Sequence, residues 1–149
     1  MVVYRITLEK WADKLSGSGY AARWNPKGTF VIYTAESRAL ACLENLVHRS
    51  GEGLNKNFSL VEIEIEDDAS IETIDSDSLP HEWYSMTKYG YCQSLGNKWL
   101  DSQSSLLLRL PSSIIHDEFN VLINPHHSEF PKVSIKTIRE FSFDDRLND

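Results

Sequence analysis

Apolar and polar positions alternate with a period of two over residues 3–8, 30–33, 58–66 and 132–138, the mark of strands that bury one face. In the first of these, Tyr4, Ile6 and Leu8 oppose Val3, Arg5 and Thr7. In 58–66, Val61, Ile63 and Ile65 are predicted to point inward, with Glu62, Glu64 and Glu66 forming a solvated face. After residue 34 the period becomes helical: Ala39, Leu40, Leu43, Leu46 and Val47 recur along one stripe, with Thr34 as the predicted N-cap and Glu36 in the first turn. At about 100° per residue, Glu44 falls at the margin of that stripe, beside Leu40. A carboxylate there can lean into a cleft.

Punctuation between these elements is clear in places. Asn25-Pro26-Lys27-Gly28 has the composition of a tight turn, with proline presetting φ and glycine free to take a positive one. Residues 10–15 suggest a helical turn, 16–19 and 50–55 loops, and 67–80 an acidic surface connection with one short strand at 70–74. Residues 81–105 hold Trp83, Tyr84, Tyr89, Tyr91 and Trp99 without a steady period, so short helices and loops are expected. Residues 106–110 form a continuous apolar run interrupted by Arg109, residues 120–124 form a strand ending in Asn-Pro, and residues 139–143 extend the strand at 132–138. Strands outnumber helices without a regular βαβ order, which predicts an α+β domain.

Composition narrows the function. At 149 residues the chain is one domain's worth. Fifteen Lys and Arg against twenty-two Asp and Glu leave −7, which argues against direct nucleic-acid binding, because phosphate contacts need clustered cations. No run of about 18 apolar residues is present to span a membrane, and residues 1–10 lack the order of a signal peptide. A cytoplasmic location is expected. Cys42 and Cys92 form no CxxC pair and read as buried thiols in a reducing compartment. His126-His127 lacks a third ligand at usable spacing, and His48, four residues after Glu44, lacks the first histidine of a HExxH pattern, so no metal is expected.

Several pieces, taken together, give a specific signal: Tyr4-Arg5-Ile6, Ala22-Arg23-Trp24-Asn25-Pro26-Lys27-Gly28, Ile32-Tyr33-Thr34-Ala35, Ala39-Leu40-Ala41-Cys42-Leu43-Glu44, Leu110-Pro111-Ser112, Asn120-Val121-Leu122-Ile123-Asn124-Pro125-His126 and Phe143-Asp144-Asp145-Arg146-Leu147. In this order the chain resembles the RES-domain toxins of bacterial toxin–antitoxin systems, as a single RES domain over 1–149. Ala21-Ala22 stands where the family carries two glycines. The resemblance implies an ADP-ribosyltransferase-like α+β fold of twisted sheets with a few short helices. It also implies a toxin that cleaves the nicotinamide N-glycosidic bond of NAD+ by hydrolysis or phosphorolysis. Its partner would be a DNA-binding, Xre-type antitoxin that covers the active site in a higher-order complex.

The residue types suit that chemistry. Splitting a ribosyl–nicotinamide bond passes through an oxocarbenium-like state, so the site needs a grip on the diphosphate, a platform for the ring and a carboxylate beside the ribose. Arg23 suits the first, Tyr33 the second by stacking, and Glu44 the third. Ser112, assigned as the family serine ahead of Ser113, could donate to a phosphate or to the nicotinamide amide, or cap a backbone group. Asn25, Arg5 and Asn124 are further candidates for holding loops or ligand. Trp24 reads as a packing anchor. Two other readings stay open on the residues: ADP-ribosylation of a protein, and a non-catalytic module that binds a nucleotide or a partner.

Overall fold

The protein is described by a computed structural model over residues 1–48, 53 and 56–148. Most of the loop predicted at 50–55 lies outside these residues. Chain order gives β1 (Val2–Leu8), β2 (Ile32–Ala35), α1 (Arg38–His48), β3 (Phe58–Ile65), β4 (Ile71–Thr73), α2 (Tyr89–Ser102), β5 (Leu107–Pro111), β6 (Phe119–Ile123) and β7 (Val133–Phe141). The strands form one sheet in the order β4-β5-β6-β2-β1-β3-β7. Every neighbouring pair is antiparallel except β4 with β5. This is an α+β architecture, as the element order predicts.

Side-chain alternation divides the core. Leu108, Leu110 and Leu122 pack with Trp24, Trp83, Cys92 and Trp99, which brings α2 onto the sheet. Leu107, Val121 and Ile123 point to the other face and join Val3, Val61 and Ile63. Buried on both faces except at the half-buried Arg109, β5 reads in sequence as an apolar run with a single charge. Helix α1 covers β1 and β3 through Leu40 and Ala41 against Ile6, Phe58 and Leu60.

Three local expectations are corrected, and the extension of the last strand holds. The N-cap of α1 is Ser37, whose Oγ accepts the Leu40 N–H at 3.1 Å. Thr34 instead lies inside β2 and donates its hydroxyl to the Val121 carbonyl at 2.7 Å. Glu62 is buried, because Arg38 and Arg139 both pair with it; its carboxyl is held below the usual range by Arg38 first. Residues 132–143 hold one strand, β7, continuous to Phe141. The aromatic-rich stretch contains the 14-residue α2, whose inward stripe is Cys92, Gly96, Trp99 and Leu100. That stripe is helical in spacing, and Gly96 disguised it by weakening helix propensity by about 1 kcal/mol relative to alanine. The glycine has a packing reason. A Cβ at residue 96 would lie 1.7 Å from the Trp24 carbonyl oxygen, so only glycine lets α2 seat against the loop at 22–25.

Candidate active site

Among the described residues, β1 and β2 meet in register only where Tyr4 faces Ala35. On either side the ladders are complete: β1 pairs β3 from Val2–Glu64 to Leu8–Phe58, and β2 pairs β6 from Ile32–Ile123 to Ala35–Asn120. The poorly paired seam opens into a cleft of about 460 Å³, a volume within the usual range of ligand sites. Arg5, Arg23, Tyr33, Glu44, His48 and Tyr89 are among the side chains lining it.

Glu44 reaches the cleft from the inner margin of α1, as its place on the apolar stripe predicts. Its side chain is 18% exposed, and both carboxylate oxygens are engaged. Oε1 accepts the Ser112 hydroxyl at 2.7 Å, and Oε2 lies 3.0 Å from His48 Nε2. Ser112 is itself fully buried just beyond β5, and its oxygen accepts the N–H groups of Ile114 and Ile115 at 3.1 and 3.2 Å. The Ser112 hydroxyl therefore lies behind Glu44 and orients it. Of the two adjacent serines, it is Ser113 that lines the cleft.

Arg23 and Tyr33 also line the cleft, but most of their polar capacity is committed to the protein. The Arg23 guanidinium donates to the carbonyls of Trp83, Tyr84 and Ser85, at 3.3, 2.8 and 3.4 Å, and lies over the Tyr89 ring. Its Nε is buried with no hydrogen-bond partner among the described residues. The Tyr33 hydroxyl accepts the Trp24 N–H at 3.2 Å and donates to Asn25 Oδ1. Burial pushes the phenol well above its ordinary value, so it stays neutral. What Tyr33 presents to the cleft is its ring. Asn25 is 2% exposed and donates to the carbonyls of Tyr20, Pro26 and Thr29, so it holds the loop.

Arg5 differs from Arg23. Among the described residues its one hydrogen-bond partner is the Ser16 carbonyl, 3.4 Å from Nη1. Burial lowers its pKa from the ordinary value, which marks a desolvated cation facing the cleft with donors to spare. Asn124 lies outside the cleft. Its Oδ1 accepts the His126 N–H at 3.0 Å in a turn at the end of β6. The β6 asparagine that lines the cleft is Asn120, whose Nδ2 donates to the Thr34 carbonyl at 3.2 Å. Sequence reasoning also missed Tyr4, Tyr89 and Asn45 as lining residues. The last carries a legible signal, being adjacent to Glu44 on α1, and it donates to the Ile6 carbonyl.

The assembly is an oriented carboxylate at one wall of a cleft that also presents arginines and tyrosine rings. Such a site suits a substrate with an anionic portion and a reaction that builds positive charge beside the carboxylate. Among the described residues no group of three or more His, Cys, Asp or Glu could hold a metal ion. No helix among them is long and apolar enough to cross a membrane.

The family model described as "RES domain" matches residues 2–144. The chain is 40% identical over 141 residues to the "Prs ADP-ribosylating toxin" of Sphingobium sp. (strain YBL2), covering 91% of this chain and 88% of that protein. It is 37% identical over an alignment of 153 residues to "Toxin Res" of Yersinia enterocolitica, covering 99% of each. Among solved structures it is similar to the crystal structure of the M. tuberculosis MbcT-MbcA toxin-antitoxin complex. That likeness has a TM-score of 0.76 at 18% identity, covers 95% of this chain and 84% of the other, and bears on the fold alone.

Proposed function

The chain belongs to the RES domain family, and from that premise we propose that it is the toxin of a toxin–antitoxin pair, an enzyme that consumes NAD+ by breaking the bond between nicotinamide and ribose. The observation that carries this reading is Glu44, a carboxylate fixed by Ser112 at the wall of a cleft whose other side chains include Arg5 and the Tyr33 ring. The residues fit such a substrate. Arg5 has the unclaimed donors that a diphosphate needs, and Arg23, with its Nη atoms on carbonyls 83–85, shapes the wall. The Tyr33 ring offers a stacking face for nicotinamide.

In the reaction the electron pair of the N-glycosidic bond departs with nicotinamide, and an oxygen of water or phosphate attacks the anomeric carbon and loses its proton. Glu44 accepts a hydrogen bond from the ribose and stabilises the cationic state by its charge. Removing one such pre-organised group typically costs about 10²–10³ in rate. A second reading has an observation of its own: the Sphingobium relative is named an ADP-ribosylating toxin, so the acceptor could be a protein.

The partner we propose is a cognate DNA-binding antitoxin of the Xre type, seated over the cleft in the cytoplasm. Tyr20, Tyr84 and Met86 support this. They are exposed apolar side chains on the loops that Asn25 and Arg23 tie together.

The deciding experiment measures NAD+ in cells shortly after induction of the wild type, Glu44→Ala or Arg5→Ala. Collapse of the pool in the wild type and its preservation in both variants is the expected result. Growth arrest with an intact pool, and label from NAD+ on a protein band, would move the assignment to protein ADP-ribosylation. An intact pool with normal growth would overturn both.

A further inference from the structure

Most of the cleft's polar side chains are accounted for by the proposed reaction or by the loops they hold. His48 is not. It sits on the last turn of α1, one turn beyond Glu44, with its ring 55% exposed and lining the same cleft. Its Nε2 lies 3.0 Å from Glu44 Oε2, while Ser112 engages Oε1 from β5's end. The carboxylate is thus held from two sides. One support is a buried hydroxyl that cannot change charge, the other a solvent-exposed imidazole that can.

From this geometry we infer that His48 is a positioning residue for Glu44, and that it sets the pH dependence of the reaction; the inference rests on the proposed NAD+ cleavage. With its proton on Nε2, neutral His48 donates to Oε2, completes the orientation begun by Ser112 and leaves the carboxylate its full charge. Protonation of the other ring nitrogen turns His48 into a cation against the same oxygen. Part of the field that Glu44 directs at the ribose is then cancelled, where positive charge must develop.

Among the described residues, the other charged or titratable side chains lining the cleft are Tyr4 and Arg5 from β1, Arg23 from the loop, Tyr33 from β2 and Tyr89 at the start of α2. Arginines stay charged and phenols neutral across the range where an imidazole titrates, about pH 5 to 8. Of these side chains His48 alone is an imidazole.

The test is steady-state nicotinamide release from NAD+ by the purified chain between pH 5 and 8, for the wild type, His48→Gln and His48→Ala. The wild-type kcat is expected to rise about three- to fivefold over this range, the span an exposed pair supports. In His48→Gln, which keeps an N–H donor but no titrating charge, the profile becomes flat, with KM unchanged. His48→Ala is also flat and turns over more slowly than His48→Gln at every pH. Thermal melts of all three chains should coincide, because the ring is exposed.

A flat wild-type profile, or a rise that survives in His48→Gln, overturns the role of His48 while leaving NAD+ cleavage in place. Absence of nicotinamide release from the wild type at every pH overturns the proposed reaction and, with it, this role.

Discussion

The seams on the two sides of β1 are built from opposite materials. Toward β3 and β7, β1 belongs to an extended ladder, with one register shift between β3 and β7 at Glu62–Ile63, backed by Val3, Val61 and Ile63, which are almost wholly buried. Toward β2 it meets its neighbour at Tyr4–Ala35, and the gap is framed by side chains on loops and helices. Arg23 reaches the carbonyls of 83–85, Gln93 those of Ala22 and Asn25, Asn45 that of Ile6, and the Tyr33 hydroxyl the Trp24 N–H. Stability and chemistry are thereby separated in space. The apolar ladder holds the fold, and the incomplete seam gathers the polar groups that line the cleft.

Mutations on the two sides should therefore have different currencies. The largest expected effect is from Ile63→Ala on the closed side, a cavity in a fully buried site. It should cost about 2–5 kcal/mol in urea unfolding, with nicotinamide release per folded molecule unchanged. If turnover fell in proportion, the two regions would be one cooperative device rather than two. Ser112→Ala, on the open side, should reverse the ratio. It frees Glu44 Oε1 and leaves the Ile114 and Ile115 N–H groups without their acceptor. The expected kcat loss is about 10²-fold, that of a misplaced reacting group, for about 1–3 kcal/mol of stability.

The smallest effect sharpens the comparison by pH. Glu129 accepts from the Ser70 hydroxyl and pairs with Lys132, away from the cleft, and these hold its carboxyl down at about 2. A carboxyl depressed in the folded state contributes stability above its unfolded value, and the contribution is lost as pH falls toward the folded value. Acid titration of the wild type should show this loss between the ordinary carboxylate range and about pH 2. Glu129→Gln should remove that component while leaving the profile of the reaction between pH 5 and 8 as it was.

How legible these regions were in sequence follows from the same division. β1 and β3 announce themselves because a half-buried strand must alternate. Glu44 could be placed at a cleft margin from the helical stripe, and Trp24 as an anchor. Glu62 was misjudged because alternation gives the face of a side chain but not the cation waiting on it, here Arg38 from one direction and Arg139 from another. Helix α2 was hidden by Gly96, whose reason is a carbonyl 72 positions earlier, at Trp24. Arg23 stood out in the Arg-Trp-Asn-Pro piece that carries the resemblance, yet nothing local reveals that carbonyls 83–85 occupy its Nη atoms. Asn124 was named as a candidate from the 120–126 piece, whereas Asn120 of the same piece lines the cleft because β6 runs beside β2. Such long-range partners are set by topology, which periodicity does not encode.

The distance along the chain from Glu44 to Ser112 also has a consequence for synthesis. When the ribosome has released residues 1–100, Arg5, Arg23, Tyr33 and Glu44 are all outside, but Ser112 is unmade and β6, the neighbour that fixes β2, does not exist. The carboxylate then has no hydroxyl behind it, and the cleft lacks a wall. A nascent chain that stops short of residue 112 therefore lacks the hydroxyl that holds Glu44, and the site is assembled only once Ser112 and β6 have been made.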